Sequence, residues 1–250
     1  MRYWRFWLYS LFCLITTACI TPVSVPFGLQ KDYLAHIPAR IAILPCRIWP
    51  QGALFPGQEK TELPADQVQA NCDQFDKFIL AGFDGQPFMR GISPRVVKAL
   101  IEKSEQPDLL NDLNQLWFRP SQVCEACQQP GAYYQQVIAP RSDWRTWLSS
   151  LSRTVSSSDA VLLPMLLAVS TEKVDDHGLF YMRRAAQVAL LLIDSNNGQL
   201  IWIGGREAEI RLLLKDDKGE AKPEQIPPWD ELWKRVFVDD MWLQFPGRQS

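Results

Sequence analysis

Apolar and polar positions are distributed unevenly along the chain. The densest apolar signal lies in its second half. Asp159 to Val169 is strongly apolar and interrupted by Pro164, which predicts a strand with a bulge or sheet-edge position at the proline. Gly178 to Asp194 is a second run, ending Val188-Ala189-Leu190-Leu191-Leu192-Ile193 with no alternation, the mark of a central strand buried on both faces. Asp194-Ser195-Asn196-Asn197-Gly198 then supplies turn chemistry before Gln199-Leu200-Ile201-Trp202-Ile203 resumes the β pattern, so a hairpin is expected. Gly204-Gly205 would allow a bulge before the strand continues toward Arg211 to Leu214.

Helical spacing appears in three places. Ser93-Pro94 forms an N-cap and first-turn pair ahead of Val96, Val97, Leu100 and Ile101, predicting a helix to about Ser104. Ser142-Asp143 could cap a helix carrying Trp144, Trp147, Leu148 and Leu151, whose aromatics read as core anchors. Pro227-Pro228 opens a set of Trp229, Leu232, Trp233, Val236, Phe237 and Met241 that should pack onto the sheet. Arg40 to Pro45 reads as a short strand, and the Pro- and Gly-rich stretch from Pro50 to Pro64 as loop. Glu105 to Arg141, with Pro120, Pro130 and Pro140, reads as an irregular cysteine-bearing insertion. These elements predict an α+β or α/β sandwich, a mainly antiparallel sheet packed against helices.

The first residues follow a different logic. Arg2 and Arg5 precede the apolar stretch from Trp7 to Ile15, which is too short for a permanent span of about 20 residues. Residues 1–18 therefore read as a secretory signal. Leu14-Ile15-Thr16-Thr17-Ala18-Cys19 resembles the lipobox of bacterial lipoproteins, with Thr16 where that motif most often has Leu. The resemblance implies that Cys19 receives diacylglycerol and becomes the new amino end. It also implies, with Ile20 rather than Asp following, the outer membrane facing the periplasm. Residues 19–36, containing Pro22 and Pro26, read as a tether, and 37–250 as one globular domain.

With 250 residues, 47% hydrophobic and 22% charged, the chain can bury a core. Its net charge of −2 becomes −4 once Arg2 and Arg5 leave with the signal, and no basic block stands out, so nucleic-acid binding is not expected. Export permits disulfides. With Cys13 in the signal and Cys19 lipidated, Cys46, Cys72, Cys124 and Cys127 remain, and they allow three complete pairings. Structural bridges are the expectation; Cys124-Glu125-Ala126-Cys127 could instead be a redox pair or half of a zinc site. Asp216-Asp217-Lys218-Gly219 reads as a solvated turn, without the acidic spacing of a calcium loop.

Asp159-Ala160-Val161-Leu162-Leu163, Val188 to Asp194, Gly198-Gln199-Leu200-Ile201-Trp202 and the Trp-rich end through Leu243-Gln244-Phe245-Pro246 carry a further likeness. They resemble bacterial envelope lipoproteins whose body is similar to the amino-terminal domain of TolB, an architecture shared by curli-secretion lipoproteins and penicillin-binding-protein activators. The resemblance covers about residues 40 to 246. It implies a non-catalytic protein that binds an envelope or periplasmic protein partner and carries no active-site residue onto this chain; no cofactor and no metal are expected.

Two enzymatic alternatives follow from the residues. A thiol oxidoreductase would use Cys124 and Cys127. Glycan cleavage would need a carboxylate pair such as Asp175-Asp176, but neighbours on a strand point to opposite faces, and beside His177 they read as solvated loop. His36 lies by the tether with no visible catalytic companion.

Overall fold

The computed structural model describes residues 37–48, 65–117, 130–214, 226–237 and 245–247. Its elements are β1 (Arg40–Ile43), β2 (Arg47–Ile48), α1 (Ala65–Ala81), β3 (Arg90–Ile92), α2 (Pro94–Glu102), α3 (Leu109–Trp117), α4 (Pro130–Tyr133) running into a π-helical turn (Tyr134–Ile138), α5 (Ser142–Thr154), β4 (Ala160–Asp176), β5 (Leu179–Asp194), β6 (Leu200–Leu213) and α6 (Trp229–Phe237). The fold is α+β. One mixed sheet runs β3-β1-β4-β5-β6, with β2 also pairing β4; β1, β2 and β3 pair in parallel, whereas β4, β5 and β6 are antiparallel.

The unbroken apolar run explains the position of β5. Val188 to Ile193 are at most 1% exposed, since β5 lies between β4 and β6 with helices on both faces. Burying each Val, Leu or Ile of this run contributes about 1.5–3 kcal/mol relative to leaving it in water. One core joins Leu163, Leu191 and Ile193 to α2, α3, α5 and the π-helical turn. The other joins Leu162, Leu190 and Leu192 to α1 and α6, where Phe75 stacks on Trp233 at 5.4 Å. Trp144 and Trp147 are core anchors as expected, stacked at 4.9 Å; their indole N–H groups donate to Tyr134 Oη (2.9 Å) and the Leu109 carbonyl (2.8 Å).

Pro164 does not bulge. Leu44 N–H donates to the Leu162 carbonyl on the β1 side of β4, and Pro164, two residues on, faces the same side in the gap before β2 pairs at Met165. Its missing N–H therefore interrupts no ladder. The register shift falls instead between Leu166 and Ala168. Gly204-Gly205 does not bulge either; β6 runs through it, and the shift lies between Leu192 and Ile193 opposite Leu200 to Trp202. The Trp202 ring lies against Gly204, so close that an added Cβ would sit 2.3 Å from it.

Ser93 caps α2, its hydroxyl accepting from Val96 N–H at 3.3 Å. At α5 the cap is Arg141 rather than Ser142, and Asp143 accepts from Trp144 N–H at 2.9 Å. Within Glu105 to Arg141 the described residues are largely helical: α3 buries Leu109, Leu113, Leu116 and Trp117, and Pro130 begins α4. The expected turn at 216–219 and Met241 lie outside the described residues. Helix α1 and strand β3 come with no counterpart in the expectations above. Among the described side chains of α1, Cys72, Phe75 and Ile79 are the buried apolar ones, with buried Asn71 and half-buried Phe78 and Leu80 beside them.

Candidate interaction surface

Beyond Leu166, β4 loses its parallel partners and continues with β5 and β6 as a three-stranded ribbon. Cross-strand partners share a face, so register assigns the side chains. On the α6 side, Arg184 lies over the Trp229 ring (4.0 Å) and donates to the Pro227 carbonyl (2.5 Å), so that face is covered as far as the Arg184 row. On the other side the helix-covered core ends at Leu167, Ala189 and Ile203. Beyond them no described helix covers that face, where Ala185 is buried among its neighbours and the residues nearer the hairpin tip are more exposed.

This open face carries an ordered charge ladder. Glu172, Arg183 and Arg211 form one cross-strand row, with Glu209 two residues along. Arg183 donates to Glu172 (3.0 Å) and Glu209 (2.7 Å); Arg211 donates to Glu209 (2.9 Å) and stands 3.5 Å from Asp176. Partial desolvation works against ionisation of Glu209, yet the hydrogen bonds and charges of Arg183 and Arg211 outweigh it and hold the carboxyl below its ordinary range. The next row is apolar: Val174, Tyr181 and Leu213, with Leu213 55% exposed and Leu179, nearer the hairpin tip, 53% exposed. Half-exposed ion pairs contribute under about 1 kcal/mol each, so the ladder adds little to stability.

The structure separates the residues considered for glycan chemistry. Asp175 and Asp176 end β4 on opposite faces, as strand geometry requires, and within the strand rather than in a loop. Asp175 accepts from Gly178 N–H (2.8 Å) across the tight turn, where His177 and Gly178 adopt positive φ. Asp176 stands 3.8 Å from a fully exposed His177. The two carboxylates do not converge on one bond.

Cys46 and Cys72 form a disulfide, 26 residues apart in sequence, joining the corner after β1 to α1. This fixes one of the pairings left open above. Beside it, burial raises the Asp76 carboxyl to about 7; the Cys46 backbone N–H opposes the shift and Asp73 adds to it. Cys19, His36, Cys124 and Cys127 lie outside the described residues. Among the described residues there is no cluster of three or more His, Cys, Asp or Glu suited to a metal, and no helix long and apolar enough to cross a membrane. An open groove of about 540 Å³ lies between α3 and α5, where the Asp143 carboxylate is held by Arg141 at 2.5 Å.

The chain matches no protein-family model and no curated protein. Among solved structures it is similar to the PelC dodecamer from Paraburkholderia phytofirmans (TM-score 0.40, 10% identity, covering 90% of this chain and 99% of that one). It is also similar to lipoprotein GNA1162 from Neisseria meningitidis (TM-score 0.34, 12% identity, 75% and 89%) and to the LpoB C-terminal domain from Salmonella enterica (TM-score 0.30, 12% identity, 68% and 81%).

Proposed function

We propose that this protein is a non-catalytic interaction protein of the bacterial envelope, held to the outer membrane by acyl chains on Cys19 and docking a periplasmic or envelope protein. The open half of the ribbon carries this reading. A chain of alternating charges, Glu172, Arg183, Glu209, Arg211 and Asp176, is flanked by an apolar row ending in exposed Leu213, so a partner would meet a prepaired charge pattern with an apolar edge. The lipobox-like run before Cys19 supports the anchor, and the Cys46–Cys72 bridge is consistent with an oxidising compartment.

Replacing Leu213 with a photo-crosslinking phenylalanine analogue in native cells tests the reading. A discrete adduct is expected from Leu213, lost when R183E breaks the ladder, and absent from the same probe at exposed Lys77 on α1. Equal labelling from both positions, or an adduct indifferent to R183E, would contradict it.

A further inference from the structure

A second site lies at the other end of β4, separated from the hairpin tip by about 50 Å of strand. Arg40 on β1 and Arg90 on β3 are direct register partners. Like charges placed opposite one another across strands destabilise the pair. Among the described residues neither guanidinium has a carboxylate within ion-pairing distance; Arg40 Nη1 donates to the Ser156 carbonyl at 2.7 Å, and Arg90 makes no side-chain bond. The Asp159 carboxylate, which follows Ser156 to Ser158, is committed to the backbone, accepting the N–H groups of Ala39 (3.1 Å) and Arg40 (2.9 Å).

Both arginines line a cavity of about 350 Å³ whose other walls include Ile92, Val96, Leu100 and Ser156. Val96 is 48% exposed, and Ile92 and Leu100 are half-buried, so an apolar wall stands beside two uncompensated cations. Ser156 and Ser157 hold positive φ and set the carbonyl that orients Arg40.

We propose that this cavity binds an acidic peptide segment of a protein partner, a carboxylate bridging Arg40 and Arg90 while a neighbouring aliphatic side chain packs on Val96 and Leu100. Charge complementarity selects the carboxylate. The apolar wall selects a peptide over a phospholipid headgroup, which offers a phosphate but keeps its hydrocarbon in the bilayer. The site is independent of the ribbon face, which lies at the opposite end of the strand.

Fluorescence anisotropy of the detergent-solubilised full chain with a labelled peptide alternating Glu and Leu tests the assignment. Binding should weaken with salt, fall about tenfold or more in R90E, and fall in V96S without change in its salt dependence. Both substituted positions are exposed, and unchanged circular dichroism confirms folding. R90E should leave the Leu213 crosslink intact, so the two surfaces are tested separately. Equal binding of a Gln-and-Leu peptide, indifference to R90E, or binding of phosphatidylglycerol vesicles with none of the peptide would overturn the proposal.

Discussion

Removing the Cys46–Cys72 bridge should cost far more than the volume of its sulfur atoms. The bridge closes 26 residues of chain, which in the chain-entropy treatment restricts the unfolded ensemble by about 3.5 kcal/mol. In a chain of this size that corresponds to a fall in Tm of roughly 7–14 °C. The segment closed by the bridge includes the start of α1, whose packing otherwise rests on Phe75 and Ile79, in one core with the sheet and with Trp233 and Val236 of α6, and on Phe78 stacked on Phe237. C46A, C72A and the double variant all lose the same cross-link, so their destabilisation should agree within about 1 kcal/mol instead of adding. Urea unfolding followed by tryptophan fluorescence measures this, and the slope m should rise as the unfolded chain becomes less restrained. Two small, additive single effects, or four alkylatable thiols in the native mature protein, would refute the bridge and the loop-closure reasoning together.

Asp76 makes stability depend on pH. Its carboxyl ionises near 7 in the folded protein and near 3.9 when unfolded, so between those values the native state holds a proton that the unfolded state has lost. Stability should therefore be highest below about pH 4 as far as this group is concerned, and decline as pH rises toward 7, by roughly 2–4 kcal/mol in total. D76N should flatten that decline in thermal scans from pH 4 to 8; an unchanged slope would show that Asp76 is not the group responsible. Gly204→Ala would place a methyl 2.3 Å from the fully buried Trp202 ring, which is enclosed by Phe245 and the α6 core. A loss of about 2 kcal/mol or more is expected in urea unfolding, and a neutral outcome would mean that the ring has room to move.

The β4–β5–β6 meander was legible because its signals are local and strong: an unalternating run from Val188 to Ile193 and the turn at Asp194 to Gly198, where Asp194 accepts from Asn196 N–H (2.7 Å) and Asn197 N–H (3.2 Å). Ser93-Pro94 announced α2 for the same reason. Helix α1 was hidden because, among its described side chains, the buried apolar stripe is Cys72, Phe75 and Ile79, interrupted by polar residues and supplemented by half-buried Phe78 and Leu80. Strand β3 is three residues long and owes its conformation to pairing with β1. The bulges lie elsewhere because Gly and Pro have a second use in sheets: Gly204 makes room for a ring, and Pro164 takes the other position expected of it, an edge-like gap where no ladder bond is needed.

The candidate surfaces depend on register that no local pattern reveals. Glu172, Arg183 and Arg211 meet across nearly forty residues of sequence, and Arg40 and Arg90 across fifty. Asp175 and Asp176, adjacent in sequence and so the most visible pair, are directed to opposite faces by strand geometry. The cysteine pairing needed three-dimensional proximity, with Cys46 and Cys72 Cα atoms 5.2 Å apart.

Which side of the membrane the ribbon faces depends on the amino end. Mass spectrometry of the amino-terminal peptide from the native protein should find it beginning at Cys19 and carrying diacylglycerol, with residues 1–18 absent. An intact, unacylated amino terminus beginning at Met1 would contradict a membrane-moored envelope protein.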